Sequence, residues 1–229
     1  MKIGILAVGI IALASAATSS ASTIVDLGGY TLNYNEDTIL GGISSSFSSD
    51  DGSVGFSWSL PADVNVLNLG LPQSASFTLP SFTITANAGY TLSGPVMGFL
   101  GNLVYTEVGG ATTSASATGD VSVDDGAAVT VGGSLGRVET LSFTNGSSGY
   151  YSSSTEVPTG SFNSFSISNF MLTLNASNGA FSSIVGQPQN ELKVSFFATP
   201  VPEPETYAMM LAGIGLIATI ARRRKKRST

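Results

Sequence analysis

Near the C-terminus, Val201-Pro202-Glu203-Pro204-Glu205 sets two prolines around a carboxylate. Proline lacks a backbone N–H and pushes the residue before it out of the helical region. This segment is therefore expected to stay extended and unpaired, the form in which a protease takes hold of a chain. The chemistry it implies is done to these residues and not by them. Thr206 to Ala221 follows, 16 residues without a charge, and then six cations in a row, Arg222, Arg223, Arg224, Lys225, Lys226 and Arg227. A helix over the uncharged run is roughly 24 Å long. That is a little short of a ~30 Å hydrocarbon core, with flanking residues and bilayer thinning making up the difference. Gly213 and Gly215 would weaken a soluble helix but are common in membrane helices. Six cations are costly to move across a bilayer, so they are expected to act as a membrane stop signal on the cytoplasmic side, with everything before Thr206 outside.

This order of parts (Val-Pro-Glu-Pro, apolar helix, arginine cluster) resembles the PEP-CTERM sorting domain of Gram-negative bacteria, over about residues 200–227. The resemblance implies recognition by an exosortase, a membrane-embedded cysteine transpeptidase, with cleavage near the Pro-Glu-Pro. Val201, Pro202, Glu203 and Pro204 would then be the sorting and cleavage motif. It also implies company with exopolysaccharide and biofilm production.

The other end agrees with export. Lys2 precedes an apolar run from Ile3 to Ala14, and a small, polar stretch from Ser15 to Ser22 follows. That is the layout of a secretory signal peptide cut after Ala21 or Ser22. Five segments are predicted: a signal peptide at 1–22, an exported domain at 23–198, a linker at 199–205, a transmembrane helix at 206–221 and a basic cytoplasmic tail at 222–229. The domain is expected in the periplasm, anchored in the inner membrane, and after processing at the cell surface or outside the cell.

Composition restricts what the domain does. Between Thr23 and Ala198 there are two basic residues, Arg137 and Lys193, against thirteen acidic ones, a net charge of −11. Such a surface repels nucleic acid and anionic lipid headgroups. The chain has no Cys and no His. Disulfides, thiolate or imidazole metal sites, and Ser-His-Asp or Cys-His catalysis are all excluded. No phosphate-binding Gly-rich loop with its Lys is present.

The elements that carry any site are predicted to be strands. Phe56, Trp58 and Leu60 alternate with serines, as do Ala75, Phe77 and Leu79 with Ser76 and Thr78; Phe82 and Ile84, Tyr90 and Leu92, and Leu141 and Phe143 alternate with Ser or Thr in the same way. Period two with polar residues on the other face marks strands with one buried side. Parity registers two hairpins. A three-residue loop at Asn87-Ala88-Gly89 sets Ile84 against Leu92 and Ala86 against Tyr90. A second at Asp124-Asp125-Gly126 sets Val121 against Val129 and Val123 against Ala127, with Gly89 and Gly126 in the left-handed position. Phe165 and Ile167 are odd whereas Phe170, Leu172 and Leu174 are even, so a bulge or break is expected near Ser168-Asn169. Leu192 to Phe197 reads as a well-covered last strand. Ala111 to Gly119 reads as an edge strand or a mobile loop. The segment Ile84 to Leu92 also looks like a hairpin frequent in PEP-CTERM exported domains, which supports a sandwich. The expected fold is all-β, a single β-sandwich (jelly-roll-like or Ig-like) between an N-terminal signal helix and a C-terminal transmembrane helix.

Three candidate sites remain. Asp50, Asp51, Asp124 and Asp125 offer hard oxygen ligands for Ca²⁺ but lack the alternating EF-hand spacing, and Asp-Gly is also ordinary turn chemistry. Trp58 shares the parity of Phe56 and Leu60 and belongs to a core. Tyr30, Tyr34, Tyr105, Tyr150 and Tyr151 are the candidates for an exposed sugar-stacking platform. Of these, Tyr150 and Tyr151 lie in a Gly-Ser stretch from Asn145 to Ser154 read as a loop. Paired carboxylates serve glycoside hydrolases, but thirteen acids form pairs by chance and nothing marks a cleft. The function expected is that of a non-enzymatic surface or matrix protein without a cofactor. Its partners would be an exosortase-like transpeptidase, the inner membrane and exopolysaccharide. The alternative is a calcium-dependent carbohydrate-binding or adhesion module.

Overall fold

A computed structural model describes residues 22–202 and 204–227, and within the final helix the side chains of residues 207–218. The expected signal peptide falls outside these residues except at Ser22. The first strands are β1 (Ser22–Asp26), β2 (Tyr30–Asn35), β3 (Ser45–Ser48), β4 (Ser53–Ser59), β5 (Asn65–Asn68), β6 (Gln73–Thr78), β7 (Phe82–Ala86) and β8 (Tyr90–Val108). They are followed by β9 (Thr112–Val123), β10 (Val129–Ser134), β11 (Gly136–Phe143), β12 (Gly146–Val157), β13 (Ser161–Phe162), β14 (Ser164–Ser177), β15 (Phe181–Val185) and β16 (Glu191–Pro200). One helix, α1 (Pro204–Arg227), ends the described chain.

The strands form two antiparallel sheets. One runs β1-β2-β7-β14-β9-β10, with β6 also on β14; the other runs β11-β12-β8-β16-β4-β3, with β13 and β15 on β8 and β5 on β15. Each sheet has a long spine. On β8, 19 residues long, β13 and β12 pair end to end along one edge and β16 and β15 along the other. On β14, β9 covers one edge and β7 and β6 share the other.

The two sheets meet through their apolar faces. Phe56, Trp58 and Leu60 are fully buried, as the alternation predicts, and so are Ile84 and Leu92. Aromatic rings bridge the layers. Tyr30 of β2 meets Phe196 of β16 edge-on at 4.8 Å, and Phe82 of β7 meets Phe56 of β4 at 5.3 Å. Gly55 marks a close approach: a Cβ there would overlap the Val194 carbonyl and the Phe47 ring.

The bulge predicted near Ser168-Asn169 is present. Asn169 and Phe170 together oppose Gly119, and the pairing shifts by one between Ser168 and Met171. Asn169 takes a left-handed φ of 50°. The extra residue lets Phe165 and Leu172, of opposite parity, both face the core. Leu192 to Phe197 lies within β16, covered by β8 and β4.

Three expectations are corrected. Asn87-Ala88-Gly89 is a turn, with the Tyr90 N–H bonded to the Asn87 carbonyl at 3.0 Å and Gly89 at a φ of 80°. It does not join paired strands, since β7 and β8 belong to opposite sheets. Ile84 and Leu92 share the core by facing across it, an arrangement parity does not distinguish from lateral pairing. Ala111 to Gly119 is not a loop: nearly all of it lies in β9, paired with β14 from Thr112 and with β10 only from Ser116 on. Its small residues fit there because Ala115 and Ala117 sit beside Leu174 and Leu172, which fill the layer. Leu141 and Phe143 are 58% and 42% exposed, on an edge strand exposed along its whole length.

The β9–β10 hairpin holds the predicted register, Val121 opposite Val129, but by other means. The ladder starts at that pair, beyond Val123 and Ala127. Asp124 and Asp125 take the left-handed positions, at φ 48° and 56°, and the Gly126 N–H closes the turn on the Val123 carbonyl at 2.9 Å. Gly126 itself is not left-handed. This is the mirror-image turn in which Asp-Gly is favoured. Replacing Asp125 by Gly should therefore stabilise the domain by about 0.5 kcal/mol through relief of a left-handed side chain. Asp124→Gly should cost about 1 kcal/mol, because that carboxylate accepts two backbone N–H bonds from Asn163 and Ser164. Urea unfolding of the two variants measures both.

Candidate functional site

The sorting segment leaves the sheet abruptly. β16 stays paired with β8 to its last residue, Pro200 opposite Tyr90. The Val201 N–H then donates to the Gly89 carbonyl at 2.7 Å. Val201 is 46% exposed, and Pro202 is exposed too. Glu203 lies outside the described residues, and α1 starts at Pro204, a residue suited to a helix's first position. The helix takes in the whole uncharged run and continues through Arg222, Arg223, Arg224, Lys225 and Lys226 to Arg227. Residues 207–218 are all exposed, Met209, Leu211 and Ile217 among them. Among the described residues no helix is long and apolar enough to cross a membrane. The expected transmembrane segment is met as a helix, roughly 24 Å long over its 16 uncharged residues.

At the opposite end of β8 lies a polar cluster that sequence reasoning missed. The Arg137 guanidinium forks onto the buried Glu107 carboxylate, Nη1 to Oε1 at 3.0 Å and Nη2 to Oε2 at 2.6 Å. Thr113 adds its N–H and its hydroxyl to Oε1, both at 2.6 Å. Arg137 also donates Nε to the Tyr105 hydroxyl and stacks 4.3 Å from that ring's centre. Burial pushes the Glu107 carboxyl up, but the Thr113 and Arg137 hydrogen bonds outweigh it and hold the group below the usual carboxylate range. Burial alone would lower the Arg137 pKa, yet Glu107 and Tyr105 hold it above its ordinary value. With both carboxylate oxygens engaged, Glu107 is a strut and not a free acid or base. The clue was the scarcity of cations: Arg137 is one of two in the domain. The other, Lys193, sits 4.2 Å over the Phe47 ring.

The remaining candidates do not converge. Tyr151 is buried and its hydroxyl donates to the Thr113 carbonyl at 2.7 Å, while Tyr150 is half-buried. The stretch read as their loop is largely strand β12. Tyr30, Tyr34 and Tyr105 are core residues, as is Trp58. Asp50 and Asp51 occupy the β3–β4 turn, where Asp51 accepts the Ser53 N–H at 2.9 Å. Asp124 and Asp125 occupy the β9–β10 turn, in the other sheet. Among the described residues no group of three or more acidic side chains is gathered to hold a metal ion. An apolar slot of about 100 Å³ lies between the sheets, walled by Phe82, Leu100, Val121, Phe165 and Leu192, and no charged side chain lines it.

The Glu107 strut makes the domain sensitive to acid. Its folded pKa lies below the ordinary 4.5, so its stabilising effect is complete above that value and lost as the pH falls through the folded one. Glu107→Gln should cost about 2 kcal/mol near neutral pH and flatten the acid limb of the stability profile. Urea midpoints recorded between about pH 7 and pH 3 check both outcomes.

Residues 200–225 match the family described as PEP-CTERM protein-sorting motif. No curated protein and no solved structure matches the chain. The match begins at the last residue of β16 and takes in the exposed Val201-Pro202 step and most of α1. The chain carries a PEP-CTERM protein-sorting motif at its C-terminal end, which implies export, membrane anchoring and processing by an exosortase-type enzyme.

Proposed function

We propose that this is a non-enzymatic surface or matrix protein of the cell envelope, delivered by its sorting motif and working beside exopolysaccharide. α1 anchors it in the inner membrane with Arg222 to Arg227 on the cytoplasmic side and the sandwich outside. Arginines at the end of the apolar run reach back to the headgroups, and the bilayer thins to meet a short helix. The exosortase-type enzyme then cuts near Val201, Pro202, Glu203 and Pro204 and frees the sandwich from its anchor.

The observation that carries this reading is the placement of the motif: it lies between the last hydrogen bond of the sheet and the first turn of α1, with Val201 and Pro202 in the open. The absence of His and Cys supports a non-enzymatic domain, as do the saturated Glu107 and an interior slot without a charge. A net charge of −11 on the domain favours a soluble, hydrated state once the anchor is gone.

Intact mass tests it. Protein recovered from the medium should lack the N-terminal apolar segment and end near Pro202 to Pro204, whereas the membrane-bound form should keep its basic tail. Glu203→Ala should shift the balance several-fold toward the membrane-bound form. Full-length chain recovered from the cytosol with both ends intact would refute the proposal.

A further inference from the structure

The free chain around the motif is very short. Val201 is bonded to Gly89, and α1 begins at Pro204. Only Pro202 and Glu203 stand between, a stretch whose greatest reach from Val201 to Pro204 is roughly 10 Å. An enzyme that takes an extended peptide holds it by main-chain hydrogen bonds along several residues, with pockets for alternate side chains. Pro202 has no N–H to offer. On one side of the motif the backbone is committed to α1, and on the other to β8.

The two sides are not equally held. β4 pairs with β16 no further than Phe197 opposite Ser53, and the Ala198 N–H goes to the Gly52 carbonyl at 3.1 Å. Beyond that point Thr199, Pro200 and Val201 have a neighbour along one edge only: Thr199 and Pro200 lie opposite Thr91 and Tyr90, the Val201 N–H bonds to Gly89, and all three are exposed. Pro200 cannot donate. Pro200 also walls a hollow together with Tyr90, Leu27, Phe47 and Ala198.

We propose that the Gly89–Tyr90 end of β8 is a clasp on the sorting motif: processing acts on the state in which Thr199 to Val201 have peeled away, and the clasp sets how fast the domain is released. This rests on the sorting reading above and adds the step that limits it. Peeling need not disturb the core, since the residues that let go lie beyond the reach of β4.

Two variants bear on it from opposite directions. Four Gly-Ser residues inserted between Pro200 and Val201 supply free chain without peeling of Thr199 and Pro200, and leave Val201 to Pro204 contiguous. Thr91→Cys with Thr199→Cys locks the strand end. These residues are directly opposite in an antiparallel pair, about 4.5 to 5.5 Å apart at Cα and within disulfide reach. The chain has no cysteine of its own to compete. Each full-length chain, purified in detergent, is treated with a proline-specific endopeptidase that accepts whole proteins, and cutting after Pro202 is timed by mass. Release is followed in parallel in the exporting cell by pulse-chase.

The spacer should speed both reactions several-fold. The crosslink should slow both, with the rate restored on reduction. Equal rates in all three proteins overturn the clasp. So does a faster spacer variant beside an unaffected crosslinked one, because reach and not sheet opening would then be limiting. If the endopeptidase responds as expected while the cell releases none of the three, the clasp stands and the sorting reading falls.

Discussion

An exported domain without a single cysteine has no covalent staple. Its two sheets are held by what packs between them. Tyr30, Phe56, Trp58, Phe82 and Phe196 form a continuous set of edge-on and tilted ring contacts from one layer to the other. Both sheets contribute, so neither keeps a buried face if the other leaves. Everything outward of that contact, including the Ser and Thr faces, the turns and the tail, takes its position from it. The long spines serve the same end, because β8 and β14 are each long enough to carry two shorter strands on one edge and so enlarge the face that is covered.

Charge is distributed by the same logic. Eleven more acids than bases keep the surface hydrated, but they leave few cations for holding the fold. The two that exist are both laid over aromatic rings, Arg137 on Tyr105 and Lys193 on Phe47. The acid in the interior is the one that receives an arginine fork and two further bonds from Thr113. Elsewhere the carboxylates serve the backbone: Asp26 and Asp51 accept N–H groups within their own turns, and Asp124 accepts those of Asn163 and Ser164 from a distant part of the chain.

The strands were legible because period two is imposed by the pleat itself, and the change of phase between Ile167 and Phe170 encodes the bulge. Pairing was less so. Parity says that Ile84 and Leu92 point to the same interior and is silent on whether they lie side by side or face to face. It gave β11 an inner face that no layer covers. It left the first part of β9 open between edge strand and loop, since alanines and serines carry little hydrophobic signal where the leucines of β14 supply the bulk. Glycine and serine around the tyrosines of β12 give the pattern of a loop, although the strand is held by partners on both edges. The tail was the most readable part, because a proline pair, an uncharged run and a cation cluster each have a local meaning. The ion pair of Glu107 and Arg137 joins residues 30 positions apart, a distance over which local pattern carries no information.

The position of β16 has a mechanical side. The anchor is attached to the end of a strand that has neighbours on both edges over most of its length. A pull along the tether loads those ladders lengthwise, so the bonds share the force and fail together, whereas a strand drawn sideways from a sheet margin gives way one bond at a time. The few residues past β4 form a short fuse that yields first, and the body behind them resists. Drag on the exposed domain would be borne at the anchor without unravelling it.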